Sequence, residues 1–374
     1  MSDALQELLT RHVTAGTVVG AAGLFGTGAD VEVVTAGSMS LDGPPMRDDA
    51  VLRIESMTKA VTAVAALRLV EGGALSLDQS VVAWLPELAD RQVLRTPTAP
   101  LDDTAPARRE ITLHQLLTCT SGYGVAVEPS PLQDAMEANG TAAGPEPPSM
   151  GADEWLARLA SLPLAFEPGE GWRYHHSFGL LGILIARVVG RPLHDHLTDD
   201  VLGPLGMADT GFWVPESAAD RLPAAYRNTD RGLVEIEPAA GGFYAGPPPY
   251  DVSHAELVST TRDYHRFLRV LVEDGQHDGR SFVSSEHVRL MTSDQVPTRC
   301  KTPDSFFPGF WDGMGWGYGV VVHTEGPHRG RFGWSGGLGT DFFVDPDGTI
   351  ALLMPQVEMG PALFPVLEEF QALG

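Results

Sequence analysis

The sequence predicts an α/β protein: one antiparallel sheet flanked by N- and C-terminal helices, interrupted by a mostly helical second domain. Three observations predict it. Strand-patterned segments lie near both ends, at residues 16–25 and 30–36 and again at 341–344 and 349–354. A short amphipathic helix pattern lies outside each pair, at the N-terminus and over 363–373. Between them run apolar-periodic stretches at 56–71, 111–119, 151–162, 178–200 and 260–274, separated by loops rich in glycine and proline. The division expected is an α/β domain from residues 1–60 and 250–374, with a helical domain over 61–249.

Each element has a local reason. Ser2 or Asp3 can cap a helix that places Leu5, Leu8, Leu9 and Val13 on one face. The intervening Gly26-Thr27-Gly28 turns the first two strands into a hairpin, and Asp345-Pro346-Asp347-Gly348 does the same for the last two. Helix 56–71 is apolar around its whole circumference, which predicts burial, and Gly72-Gly73 ends it. The stretches 121–149 and 238–250 read as loops too long for simple connections, hence as lids or pocket walls.

Composition narrows the function. The chain has 374 residues, with 49 acidic against 25 basic, for a formal net charge of −24. A surface that negative repels phosphate backbones and anionic lipid, so neither nucleic acid nor a membrane is an expected partner. No apolar run reaches the roughly 18 residues of a membrane span. The N-terminus lacks the basic-then-apolar layout of a secretory signal, and the two cysteines, Cys119 and Cys300, suit a reducing compartment. A cytoplasmic protein is the expectation. The oligomeric state is left open.

Only two of the 25 basic residues are lysines, Lys59 and Lys301. Arginine supplies the generic charge, so a lysine marks a position where a removable proton counts. Ser56-Met57-Thr58-Lys59 places that lysine one helical turn from a serine at a helix start. A neutral lysine there can take the serine proton. The bare pattern is common on exposed helices, and the scarcity of lysine is what raises its weight. A second element, Trp172-Arg173-Tyr174-His175-His176-Ser177, precedes another apolar helix. Tyr174 can shuttle a proton if nearby cations bring its pKa from about 10 to about 7; otherwise it is a core ring with a bonded hydroxyl. The adjacent histidines point apart and have no third ligand at suitable spacing, so no metal or other cofactor is expected. The third element is Gly333-Trp334-Ser335-Gly336-Gly337, whose glycines permit close backbone approach to a substrate. It also matches the G-x-S-x-G elbow, but that fold needs an acid and then a histidine downstream, and the last histidine is His328. Ser335 is therefore not expected to be a nucleophile.

In this order the elements resemble the serine β-lactamase-like superfamily, and more narrowly the class C β-lactamase-related branch with family VIII carboxylesterases. LRIESMTKAVTAVAALRLVEGGALSLD looks like the nucleophile segment and ITLHQLLTCTSG like the next helix. FEPGEGWRYHHSFGLLG, VLGPLGMADTGF and FGWSGGLGTDFFVDPDG resemble the tyrosine motif, a recurrent turn and the third motif. The resemblance implies the β-lactamase/penicillin-binding-protein-like transpeptidase fold. It implies Ser56 as the acylated nucleophile, Lys59 and Tyr174 as base and acid, and the N–H groups of Ser56 and Gly337 as oxyanion hole. Two departures stand out. His176 takes the place of the asparagine in Tyr-x-Asn, and Trp334-Ser335-Gly336 that of Lys-Thr-Gly. The lost lysine removes a cation suited to a penicillin carboxylate. Trp334, Ser335, Gly336, His176, Tyr123, Phe306, Phe307 and Trp311 are the expected substrate-binding residues. The expected activity is hydrolysis of small apolar esters through a Ser56 acyl-enzyme, with a small-molecule ester or acyl donor as partner. Its rivals are an acyltransferase of secondary metabolism, a β-lactamase or D-amino-acid peptidase, and a non-catalytic penicillin-binding module.

Overall fold

The computed structural model describes residues 2–125, 128–144 and 148–373. Its centre is a seven-stranded antiparallel sheet built from both ends of the chain. In spatial order the strands are Met314–Trp316, Val321–His323, Phe332–Ser335, Asp341–Val344, Thr349–Met354, Gly20–Thr27 and Asp30–Gly37. The two halves join where Gly20–Thr27 pairs with Thr349–Met354, with Gly23 opposite Leu353.

Strand alternation sorts the side chains onto two faces. Phe25, Phe343 and Leu353 pack under the terminal helices Ser2–Thr14 and Phe364–Gln371, against Leu5, Leu9 and Phe370. Leu24, Phe342 and Leu352 face the other way, into the main core under helix Thr261–Val272 with Tyr264, Phe267 and Leu268. Beyond that helix lie Thr58–Glu71 and His176–Val189, whose faces are apolar nearly all round and which are buried accordingly.

The expected sheet, its hairpins and both terminal helices are present. Elsewhere the structure corrects the reading. The stretch 121–149, read as a loop, contains helix Pro131–Asn139, capped by Ser130 and closed by Gly140 at φ 75°. The single helix expected over 178–200 is broken at Gly190-Arg191-Pro192 into His176–Val189 and Leu193–Leu197, because proline cannot continue the hydrogen-bond ladder. Helix Ser285–Met291 was not foreseen, nor were the antiparallel pairs Gln92–Leu94 with Thr104–Pro106 and Ala225–Thr229 with Gly232–Glu237. Among the described residues no helix is long and apolar enough to cross a membrane.

Candidate active site

Ser56 is set by a short pairing, Leu52–Arg53 against Val258–Ser259, followed by a tight turn into helix Thr58–Glu71. Glu55 takes φ 51°, an uncommon conformation for a side-chain-bearing residue, and presents Ser56 at the mouth of the turn. Tyr264 fixes that turn by donating its hydroxyl to the Met57 carbonyl at 2.9 Å. Ser56 is only 8% exposed.

Lys59 lies one helical turn on and is fully buried. Its Nζ donates to Ser56 Oγ at 2.9 Å and to the His254 carbonyl, and it sits 4.5 Å from the centroid of the Tyr174 ring. Burial pushes its pKa down to about 7, although Cys119, Glu256 and Glu55 pull it the other way. A lysine with that pKa is substantially neutral near pH 7 and can accept a proton.

Tyr174 is brought in by the turn before helix His176–Val189. Its hydroxyl accepts a hydrogen bond from Trp334 Nε1 at 2.6 Å. Burial raises its pKa above the ordinary phenol value, and hydrogen bonds with Ser56 and Trp334 oppose this only in part. The cation-lowered phenolate is therefore not what the structure contains; the ammonium-bearing group beside it is itself depressed by burial. Tyr174 is a neutral phenol.

His176, at the third position of the motif, turns away. Its Nε2 meets the Thr141 carbonyl at 2.7 Å and its ring stacks on Trp155. His175, between the two, has φ 92°.

The third motif splits across the sheet by strand alternation. Trp334 faces Tyr174, whereas Ser335 points to the opposite face and donates to Asp341 Oδ1 at 3.1 Å. The expected role of the Ser335 side chain in contacting substrate is at odds with this placement. A Cβ on Gly336 would stand 2.7 Å from both the Glu55 Cβ and the Ile54 carbonyl, so only glycine lets the strand end press against the turn that carries Ser56. The Gly337 carbonyl accepts from Met359 N at 2.7 Å, while its own N–H has no hydrogen-bond partner among the described residues. A free N–H beside the nucleophile turn is a donor suited to a developing oxyanion.

Aromatic rings form one wall. Trp334 lies 4.8 Å from Trp316 and 5.2 Å from Tyr174, and Phe306 lies 5.2 Å from Tyr174, centroid to centroid. Phe307 is at the rim, 54% exposed. Trp311 stands behind the wall, edge-on to Trp172 at 5.1 Å, with its Nε1 donating to Ser305. Tyr123 is buried beside Arg91, so its ring packs the core.

Three residues escaped the sequence reading. Glu55 adjoins Ser56, and its pKa is pushed up to about 8 by burial and by the charge of Glu256. Position next to Ser56 was the available signal. His254 and Glu256, paired at 3.0 Å and both buried, come from a segment with no motif of its own. Among the described residues no three His, Cys, Asp or Glu side chains converge as metal ligands.

The family model described as Beta-lactamase matches residues 5–361. Protein Rv1367c of Mycobacterium tuberculosis is 38% identical over 322 residues, covering 83% of this chain and 78% of that one. Esterase EstB of Burkholderia gladioli is 32% identical over 327 residues, covering 81% and 76%. Among solved structures, that of EstCE1, a hydrolase with promiscuous acyltransferase activity, superposes with a TM-score of 0.83 at 24% identity, over 100% of this chain and 98% of that one. Serine, lysine, tyrosine and a glycine N–H thus converge in a fold shared along the whole chain. The chain belongs to the β-lactamase family, in its family VIII carboxylesterase branch, and is a serine hydrolase.

Proposed function

We propose that the protein hydrolyses small apolar carboxylic esters through an acyl-enzyme on Ser56. The observation that carries this is the buried Lys59 Nζ at 2.9 Å from Ser56 Oγ, with its pKa pushed down to about 7. Lys59 takes the hydroxyl proton as Ser56 Oγ attacks the ester carbonyl. The N–H groups of Ser56 and Gly337 receive the oxyanion. Collapse breaks the carbon–alkoxide bond; Tyr174 gives its proton to the leaving alkoxide and regains one from Lys59. Water then enters by the reverse route, with its proton passing to the same pair and the acid leaving. Metal and cofactor have no part in this sequence of steps.

Substrate class follows from the wall. Trp334 and Phe306, backed by the buried Trp316, offer apolar surface where a lysine would meet a carboxylate. Losing one charge-assisted hydrogen bond costs about 1.5–3 kcal/mol, roughly 10–150-fold. The name of EstB, an esterase, agrees with ester turnover. The measurement is kcat/KM for p-nitrophenyl butyrate beside that for a chromogenic cephalosporin. Equal or better efficiency on the cephalosporin overturns the esterase reading, and acylation without turnover indicates a binding module. Faster transfer to an added alcohol than to water indicates an acyltransferase. A serine-directed phosphonate should label Ser56 in wild type and in Ser335→Ala, and should fail with Ser56→Ala.

A further inference from the structure

His175 has φ 92° and ψ −74°, a backbone conformation that a non-glycine residue holds only where its surroundings impose it. Two contacts do so. Its carbonyl accepts from Phe178 N at 3.0 Å, closing the turn after Tyr174. Its ring lies 3.9 Å from the ring of His254, tilted by 35°. His254 is also the residue whose carbonyl holds Lys59 Nζ.

The segment carrying His254 is fastened to both buried helices. Thr62 Oγ donates to the Ser253 carbonyl at 3.2 Å, and Ser253 Oγ donates to the Phe178 carbonyl. Leu257 N donates to Thr58 Oγ at 3.1 Å. On its far side the His254 ring meets Glu256 at 3.0 Å and Trp155 at 6.4 Å between centroids. His254 and Glu256 are 4% and 3% exposed.

We propose that His175 and His254 act as one positioning unit for the Ser56 reaction. Their ring contact ties the carbonyl that holds Lys59 to the peptide that presents Tyr174, so that base and acid keep a fixed separation. This rests on the acyl-enzyme reading above. His176 is not available for the task, since its ring is committed to Thr141 and Trp155. Neither His175 nor His254 touches the reacting atoms; each acts through its neighbour.

The surrounding charges give the unit a measurable signature. His175 is kept uncharged by burial, reinforced by His254, Lys59 and His176. Lys59 faces Cys119, Glu256 and Glu55, with Tyr174 over its ammonium. Removing the His254 ring admits water toward Nζ and relieves the burial that depresses Lys59. That change favours the ammonium, so the pKa of Lys59 moves up from about 7.

The experiment is the pH profile of kcat/KM for p-nitrophenyl butyrate with wild type, His254→Ala, His175→Gly and the double variant. Glycine accepts the positive φ, so His175→Gly removes the ring without straining the backbone. Each single variant is expected to lower kcat by about 10–100-fold, as a misplaced base does, with KM changing much less. Each is also expected to move the acid limb upward by about half a pH unit or more. The double variant loses no more than the worse single, because both break one unit. His254→Phe, which keeps a ring against His175, recovers much of kcat. An unmoved limb, or losses that multiply in the double variant, overturn the proposal. Thermal melts on the same samples separate these results from misfolding, and His175→Gly serves if His254→Ala does not fold. Phosphonate labelling separates the two readings: failure to label Ser56 in wild type sinks the acyl-enzyme, whereas normal labelling with an unmoved limb sinks only the positioning unit.

Discussion

Trp334 donates its indole N–H to the Tyr174 hydroxyl at 2.6 Å, across 160 residues of sequence. The residue that stands where the resemblance expects a lysine in the third motif thus engages Tyr174 as a neutral donor. It stabilises the phenol oxygen without adding a cation beside it. Burial outweighs that bond and keeps Tyr174 protonated, in keeping with the proton-donor part proposed for it.

Tyr174→Phe is accordingly expected to cut kcat by about 10²–10⁴, the usual range for a lost general acid. Trp334→Phe removes only the indole donor, a net hydrogen bond of about 0.5–1.5 kcal/mol, so its effect should be roughly tenfold or less. Steady-state kinetics on one ester compare the two. Unchanged turnover in Tyr174→Phe would mean that the tyrosine acts only through its packing.

On the proposed mechanism Lys59 sets the pH dependence. Its ammonium cannot accept a proton, so kcat/KM should rise with pH through about 7 and level off above it. Glu55, its pKa pushed up to about 8, is largely uncharged near the Lys59 midpoint, so Glu55→Gln should move this limb little. Lys59→Arg should be as damaging as Lys59→Ala, since a guanidinium keeps its proton. Arginine activity within about tenfold of wild type contradicts a proton-transfer role.

The same burial makes Lys59 a liability to the fold. Its folded pKa lies below the unfolded value of 10.5, so between about pH 7 and pH 10.5 the unfolded chain binds more protons and stability rises with pH. Below pH 7 a charged lysine must be kept in the core. Lys59→Met should therefore melt higher than wild type at pH 6, with the gain shrinking as pH rises toward 10, while turnover is lost. Differential scanning calorimetry at pH 6, 8 and 9.5 reads the sign directly.

Gly336 and Gly337 should respond differently to alanine. A methyl at 336 would meet Thr340 Oγ1 at 2.1 Å and Glu55 Cβ at 2.7 Å, forcing the strand off the nucleophile turn. At 337 the nearest atom is a Glu55 oxygen at 3.4 Å, an ordinary contact. Gly336→Ala should lose about 10²-fold or more in kcat through displacement of the oxyanion donor, whereas Gly337→Ala retains most activity. The reverse order in the ester assay would mean that strand 332–335 does not set the site.

Contacts between near neighbours were legible in the sequence. Ser56 and Lys59 meet because one helical turn separates them, and the sheet formed because alternating apolar residues flank strong turns at 26–28 and 345–348. Helix Pro131–Asn139 had Ser130, Pro131 and Gly140 as legible signals, but its weak apolar pattern let the surrounding glycines and prolines dominate. The face on which Ser335 ends followed from period-two alternation once Trp334 was placed inward.

Tertiary structure alone decided the protonation states and the far partners. Burial is a property of the packed molecule, so nothing in the S-x-x-K pattern tells that Lys59 falls to about 7 while Tyr174 rises. The His254 carbonyl reaches Lys59 from 195 positions away, and Trp334 reaches Tyr174 from 160. Local spacing brought Ser56 and Lys59 together. Desolvation and long-range contact, which exist only after the sheet and the two buried helices close on one another, set the pKa of each group.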